Sequence, residues 1–344
     1  MVDEHDIISD WIAREIVPLE RAVHRWLSRR WRHVVDPEDV IQEAYCRIAS
    51  LGSVEFRYWD TRGEWDNANR GVSILSRSPL PFGMVPGNHD YDNQPHWWEG
   101  PLGTGGNPYL DGGRTWDFYF GPQSRHFAGK PWYGGSFRQG MNSYQFFTGG
   151  GKRFLHFSFE MNPGQVVLDW AQGVIDANPG LPVILSTHEW LVSAVNKEGG
   201  RSDIGIKIFN PDEHLKPDDI WQRFVRKNPS IFLILCGHHN NLTSEGVAQG
   251  ENLRIDRNDA GYPVYQVLQD FQDNTVGADG KPGSANGGAG WMRFIEFDTD
   301  KRKIHFYTYS TLLDRYAGRN GEETFGAYAR YSDFELDFPP QLLK

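Results

Sequence analysis

The 344-residue sequence is poor in cysteine: Cys46 and Cys236 stand in unrelated apolar stretches, with no Cys-x-x-Cys pair. That excludes a disulfide framework and a zinc ribbon. No run of about 18 apolar residues occurs, so no membrane span is read. The start, with acidic Asp3, Glu4 and Asp6 after Met1 and Val2, lacks the pattern of a secretory signal, and the chain as written is expected in the cytoplasm. Positive charge is also short. Thirty-five Lys and Arg face 45 Asp and Glu, a formal net charge of -10, the wrong sign for general tracking of nucleic acid. There is no internal repeat. What the sequence does contain is 39% hydrophobic and 14% aromatic residues, enough for a buried core, with 38 Gly and 20 Pro for the loops around it.

Residues 1–52 read differently from the rest. Between 11 and 51 apolar side chains (Trp11, Ile12, Ile16, Val23, Trp26, Leu27, Trp31, Val40, Ile41, Ala44, Tyr45, Ile48) recur three or four apart, the period of helices with one buried stripe. Asp36-Pro37-Glu38-Asp39 supplies an N-cap, a first-turn proline and first-turn acids for a helix over 37–50. After Gly52 short apolar runs alternate with Gly, Pro and Asn clusters, an α/β pattern. Helices are predicted over 65–75, 165–177 and 218–227. Strands are predicted over 83–85, 144–147, 154–159, 182–185, 231–235, 264–268, 292–297 and 304–309, the last two joined as a hairpin across Asp298-Thr299-Asp300-Lys301. Segments 101–114 and 273–290 are Gly-rich, aperiodic and long enough to be functional rims or covers.

Three segments place ligand-type side chains directly after an apolar run. They are Gly87-Asn88-His89-Asp90, Ser186-Thr187-His188-Glu189 and Gly237-His238-His239-Asn240. In an open α/β sheet the carboxyl ends of parallel strands share one edge, where ligands bind, so the three segments can converge. Imidazole and amide oxygen suit Zn, Mn, Fe or Ni ions, and such an ion makes water acidic enough to ionise near neutral pH.

These segments resemble the calcineurin-like metallophosphoesterases, whose pattern runs Asp-x-His, Gly-Asp, Gly-Asn-His-Asp or Glu, a lone His, and Gly-His-x-His. The resemblance covers about residues 64–309. It implies a four-layer α/β/β/α sandwich, a phosphoester substrate (monoester or diester) and hydrolysis by a metal-activated water. Asn88, His188 and His238 would hold one divalent metal, with His89 as general acid or phosphate contact oriented by Asp90. The chain departs from the pattern in three places. Residues 1–52 contain no strand to carry Asp-x-His; Trp59 stands where the glycine before Asp60, the candidate bridging carboxylate, is wanted; and Asn240 replaces the last histidine. One metal rather than two is therefore expected, with turnover reduced by several orders of magnitude. Relatives in this family are frequently exported.

The segment 11–51, above all Asp36 to Tyr45, resembles the first part of region 2 of extracytoplasmic-function sigma factors, which implies docking on RNA polymerase through Asp36, Asp39, Gln42 and Glu43. The aromatic and basic helix that opens promoters is missing after it, so no specific DNA reading is expected. The domains are thus 1–52, a helical unit, and 53–344, a metallophosphoesterase-like domain, and the joint near 51–64 reads as a gene fusion or a frame or assembly error. The alternative is a non-enzymatic protein associated with RNA polymerase.

Overall fold

The computed structural model describes residues 61–91, 113–203, 213–239, 250–271, 290–311, 313–318 and 330–343. The expectations for Asp36, Asp39, Gln42, Glu43, Asp60 and Asn240, and for the helical unit as a whole, lie outside the described residues.

The first described element is α1 (Thr61–Arg77). Its Trp65 and Val72 pack against Trp116 and Phe120 of α2 (Arg114–Phe120) in an aromatic cluster that also holds Tyr91, Phe127, Trp132, Met141 and Met161. Trp65 stacks on Tyr119 with ring centroids 5.6 Å apart. Between the helices, residues 81–87 run without a β-ladder, so the strand predicted over 83–85 does not form. Pro79, Pro81 and Pro86 bracket it and remove the amide donors a ladder needs. The segment instead lies on a sheet face: a Cβ at Gly83 would stand 2.8 Å from both Gln145 Oε1 and His156 Cε1.

A seven-stranded mixed sheet forms the centre, in the order β1 (Tyr133–Phe137), β2 (Asn142–Gly149), β3 (Lys152–Phe159), β4 (Val183–Thr187), β5 (Ile231–Cys236), β7 (Pro263–Gln269), β6 (Glu251–Arg257). Strands β3, β4, β5 and β7 are parallel, β2 and β6 run antiparallel to them on either side, and β1 pairs antiparallel with β2 at the outer edge. Both faces of the parallel part are covered, which is why β4 and β5 read as unbroken Val-Ile-Leu runs. On one face Leu155, Phe157, Leu185 and Ile234 bury Val167, Leu168 and Ala171 of α3 (Gln165–Ala177) and Ile220 and Trp221 of α5 (Pro217–Arg223). The short α4 (Ala194–Lys197) touches β6. The helix predicted over 218–227 is interrupted at Phe224 (φ -130°), whose buried ring anchors the break before a 3-10 turn, Val225–Lys227.

On the other face Phe154, Ile184, Phe232, Leu233, Tyr265 and Val267 meet Ile304 and Phe306 of a second sheet and Leu342 of α6 (Pro340–Leu343). That sheet is built on β9 (Lys303–Ser310). β8 (Trp291–Asp298) pairs with it along its whole length, while β10 (Arg315–Ala317) and β11 (Asp333–Asp337) share its other edge end to end. The predicted hairpin is present: Asp298 pairs with Lys303 and its Oδ1 accepts the Lys301 N–H at 2.8 Å. Phe157, Phe232 and Phe306 are fully buried, and truncating any of them to alanine would cost ~3–5 kcal/mol.

The fold is therefore α/β, with three layers, helices, mixed sheet and second sheet, among the described residues. Among those residues no helix is long and apolar enough to cross a membrane. Cys236 is a buried free thiol whose pKa is pushed up to about 12 by its apolar surroundings.

Candidate metal centre

Strand β4 runs on into His188 and Glu189, and β5 into Gly237, His238 and His239. The Gly237 N–H donates to His188 O at 3.0 Å, which carries the β4–β5 pairing one step past the strand ends and holds the two loops in register. The third segment is a 3-10 turn, Asn88–Asp90, closed at both ends: Asp90 Oδ2 accepts the Gly87 N–H at 2.6 Å and the Asp90 N–H donates to Gly87 O at 3.1 Å. Gly87 lets the turn lie close against the imidazole: a Cβ would stand 3.0 Å from His188 Cε1 and 3.2 Å from Nε2, and the ring would have to give by a few tenths of an ångström.

The structure brings Asn88, His188 and His238 together. His188 Nε2 is 3.0 Å from Asn88 Oδ1 and 2.9 Å from His238 Nδ1, and the two rings stand 4.6 Å apart. His238 has a left-handed backbone (φ 71°). Strand alternation therefore breaks there and two successive imidazoles turn to the same place: His238 to His188, and His239 to Glu189. His239 Nε2–H donates to Glu189 Oε1 at 2.8 Å, and Ser202 Oγ donates to the same oxygen at 2.5 Å. Ser202 Oγ also lies 2.8 Å from that same His239 nitrogen. A Ser-His-Glu relay needs the two ring nitrogens to serve different partners, so this arrangement is no acyl-transfer triad.

Burial drives His188 down to about 3, with the neighbouring His238 adding to the effect, and holds His238 at about 4 with help from His239. Both rings are therefore neutral at physiological pH, with lone pairs free for a cation. Burial alone would raise the Glu189 carboxyl, but hydrogen bonds from His239 and Ser202 outweigh it and leave it below the ordinary carboxylate range. A buried carboxylate beside two neutral imidazoles is a donor set that a divalent cation can use. The separations of 3.0 Å from His188 Nε2 to Asn88 Oδ1 and 2.9 Å to His238 Nδ1 also match the ~3 Å edge between neighbouring ligands bound at ~2.1 Å in an octahedral arrangement. On both counts the residues fit one divalent cation.

His89 is exposed, and Asp90 is turned to the Gly87 amide rather than hydrogen-bonded to His89, so the expected orientation of His89 by Asp90 is not what the geometry gives. Desolvation raises the Asp90 carboxyl above its usual value. Sequence reasoning missed Glu189 and His239, which with His238 offer ligand atoms within 4.8 Å of one another. The signal for Glu189 was its place directly after His188; for His239 there was none short of the backbone reversal at His238. At the opposite end of the strands lies a cavity of about 410 Å³ lined by Phe147, Phe154, Phe297 and Phe338.

No family model matches the chain, and no solved structure matches it. The chain is similar to the uncharacterized protein YvnB of Bacillus subtilis (strain 168), 27% identical over 285 residues. The match covers 82% of this chain and 18% of that protein, so the chain spans less than a fifth of the relative's length.

Proposed function

We propose that the chain is a metal-dependent phosphoester hydrolase of the calcineurin-like kind, working with one cation. The observation that carries this reading is the meeting of Asn88 Oδ1, His188 Nε2 and His238 Nδ1, three side chains from distant segments, within hydrogen-bond distance at the carboxyl edge of β4 and β5. The helix–sheet–sheet layering is what a sandwich of that family needs around such an edge. Asn88, His188 and His238 would hold the ion, with Glu189 and His239 close enough to supply a carboxylate or a further nitrogen; Mn, Fe, Zn and Ni suit this donor set. When bound, such an ion supplies positive charge to a phosphoryl group and acidifies water.

The chain's own residues do the rest. Glu189 would add a carboxylate to the donor set, Gly87 lets the Asn88 turn lie close to the His188 ring, and exposed His89, next to Asn88 in the chain, would give a proton to the departing ester oxygen. With no apolar run leading into an Asp-x-His pattern in the sequence, and with Asn at 240, turnover is expected far below that of a two-metal enzyme.

The test is metal content of the purified chain, then turnover of p-nitrophenyl phosphate and its bis ester with Mn or Ni added. Slow metal-dependent release that is lost in the His188→Ala variant is expected. No bound metal and no release with either added ion would end the proposal.

A further inference from the structure

A second polar cluster occupies the same edge of the sheet. Phe159 pairs with Thr187, so Glu160, one step past β3, stands beside His188, one step past β4. Glu160 is fully buried. Its carboxylate accepts Asn142 Nδ2–H at 2.9 Å and the Tyr91 hydroxyl at 3.4 Å, and lies 3.3 Å from Arg138 Nη1. Its main chain is fixed as well: Glu160 N–H donates to Asn142 Oδ1 at 3.0 Å and Thr187 Oγ1 donates to Glu160 O at 3.1 Å. Tyr91 directly follows the Asn88–Asp90 turn. One carboxylate thus ties Arg138 to the loop that carries a candidate ligand.

Arg138 and Gln139 leave β1 with φ of 50° and 56°, a conformation that side-chain-bearing residues rarely adopt and never cheaply. The turn is pinned from outside by Trp116 Nε1–H donating to Gly140 O at 3.0 Å. Among the described residues the Arg138 guanidinium has Glu160 as its ionic partner through one nitrogen, and its side chain is 31% exposed. A guanidinium can hold a carboxylate with one nitrogen and present its remaining N–H groups to a second anion in a fixed plane, which an ammonium cannot do. A strained turn, a buried carboxylate and a half-exposed fork together make a built site for negative charge.

We infer that Arg138 is an anion-binding residue beside the candidate metal centre, and that the substrate is a phosphoester whose organic group carries a second phosphate or carboxylate. The second clause rests on the hydrolase reading; the first does not. β1 lies three strands from β4, ~14 Å at ~4.8 Å per strand, and the side chain reaches back toward β3, so the two negative charges would be on the order of 10 Å apart. Glu160 is the positioning residue, and Asn142 and Tyr91 satisfy its other lone pairs.

The experiment has a binding arm and a kinetic arm. In the binding arm the full chain, stripped with EDTA, is titrated with inorganic phosphate while the Arg side-chain Nε–Hε signals are followed by NMR. The Arg138 signal is expected to shift and saturate. Arg138→Met alone strands a buried carboxylate and can unfold the chain, so the second variant is Glu160→Gln with Arg138→Met, which removes both charges and keeps the hydrogen bonds to Asn142 and Tyr91. Phosphate affinity is expected to fall at least tenfold in this double variant while its circular dichroism and thermal midpoint stay near those of the wild type. Unchanged affinity in that folded variant would overturn the site.

In the kinetic arm, with Mn present, Arg138→Lys is expected to raise KM for pentane-1,5-diol bisphosphate, whose phosphates can stand ~10 Å apart, about tenfold more than it raises KM for p-nitrophenyl phosphate. Equal changes for both substrates would overturn the second-charge clause. Absence of turnover in the wild type would count against the hydrolase reading alone, because the EDTA titration reads Arg138 without it.

Discussion

Two buried carboxylates, Glu251 and Glu189, show how differently one fold can treat the same group. Glu251 on β6 meets Arg293 of β8 and accepts hydrogen bonds from Ser332 and Thr308, with Glu251 and Arg293 both essentially unexposed. Its charge is answered by a permanent cation, and the pair bridges the two sheets. Glu189, equally buried, faces His239, Ser202 and the neutral rings of His188 and His238. A carboxylate paired with a fixed guanidinium belongs to the architecture, whereas one grouped with imidazole nitrogens within 4.8 Å offers a donor set for a cation.

The comparison breaks first at Arg293. Arg293→Met should lower stability by ~3–5 kcal/mol in urea unfolding, because it strands a buried charge, yet leave metal content unchanged. Glu251→Gln with Arg293→Met should recover most of the loss. A cost below about 1 kcal/mol for the single change would mean that the pair does not hold the sheets together.

Acid comes next. Burial holds His126 and His156 at about 4, where an unfolded histidine titrates near 6.5. The folded pKa is depressed, so this stability is fully present above about 6.5 and is lost as pH falls from there toward 4, by up to ~3 kcal/mol for the wholly buried His156. His156→Gln, which can still reach Ser186, should flatten the fall of the urea midpoint over that window. An identical pH profile would show that His156 is not responsible.

At the candidate centre itself, His188→Ala should weaken Mn or Zn binding by ~100-fold in competition with a chelator, and Glu189→Gln by a smaller factor, since removing a ligand or its neighbouring charge typically costs 10–100-fold or more. Equal metal affinity in the wild type and the His188→Ala variant would assign the cation elsewhere. The smallest effect on the metal is expected for Ser202→Ala, which should cost ~1.5–3 kcal/mol of stability from one lost hydrogen bond to a charged acceptor, with metal affinity changed less than in Glu189→Gln.

Legibility in the sequence tracks burial. β4 and β5 are covered on both faces and read as plain apolar runs; β8 and β9 announce their hairpin through Asp298 and Lys301. β6 was hidden because it is an edge strand in which Arg254 and Asp256 interrupt the apolar pattern, and β10 and β11 because their few residues form a strand only against β9. The strand expected over 83–85 fails because the prolines on both sides outweigh the apolar character of Gly83-Met84-Val85. At the candidate site the three ligand segments were readable since each comes directly after an apolar run. Glu189 and His239 were not, because spacing arguments assume regular alternation and the backbone at His238 abandons it.

The way β9 is framed has a consequence for the life of the protein after synthesis. Its outer edge over Lys303–Tyr307 is sealed by a single five-residue strand, β11, in the C-terminal stretch of the chain. A protease cut that released the chain from Asp333 onward would leave that edge open beside Phe306, a template onto which another molecule's strand can add. Nicked chains should therefore clump through edge-to-edge pairing well before the remaining core gives way.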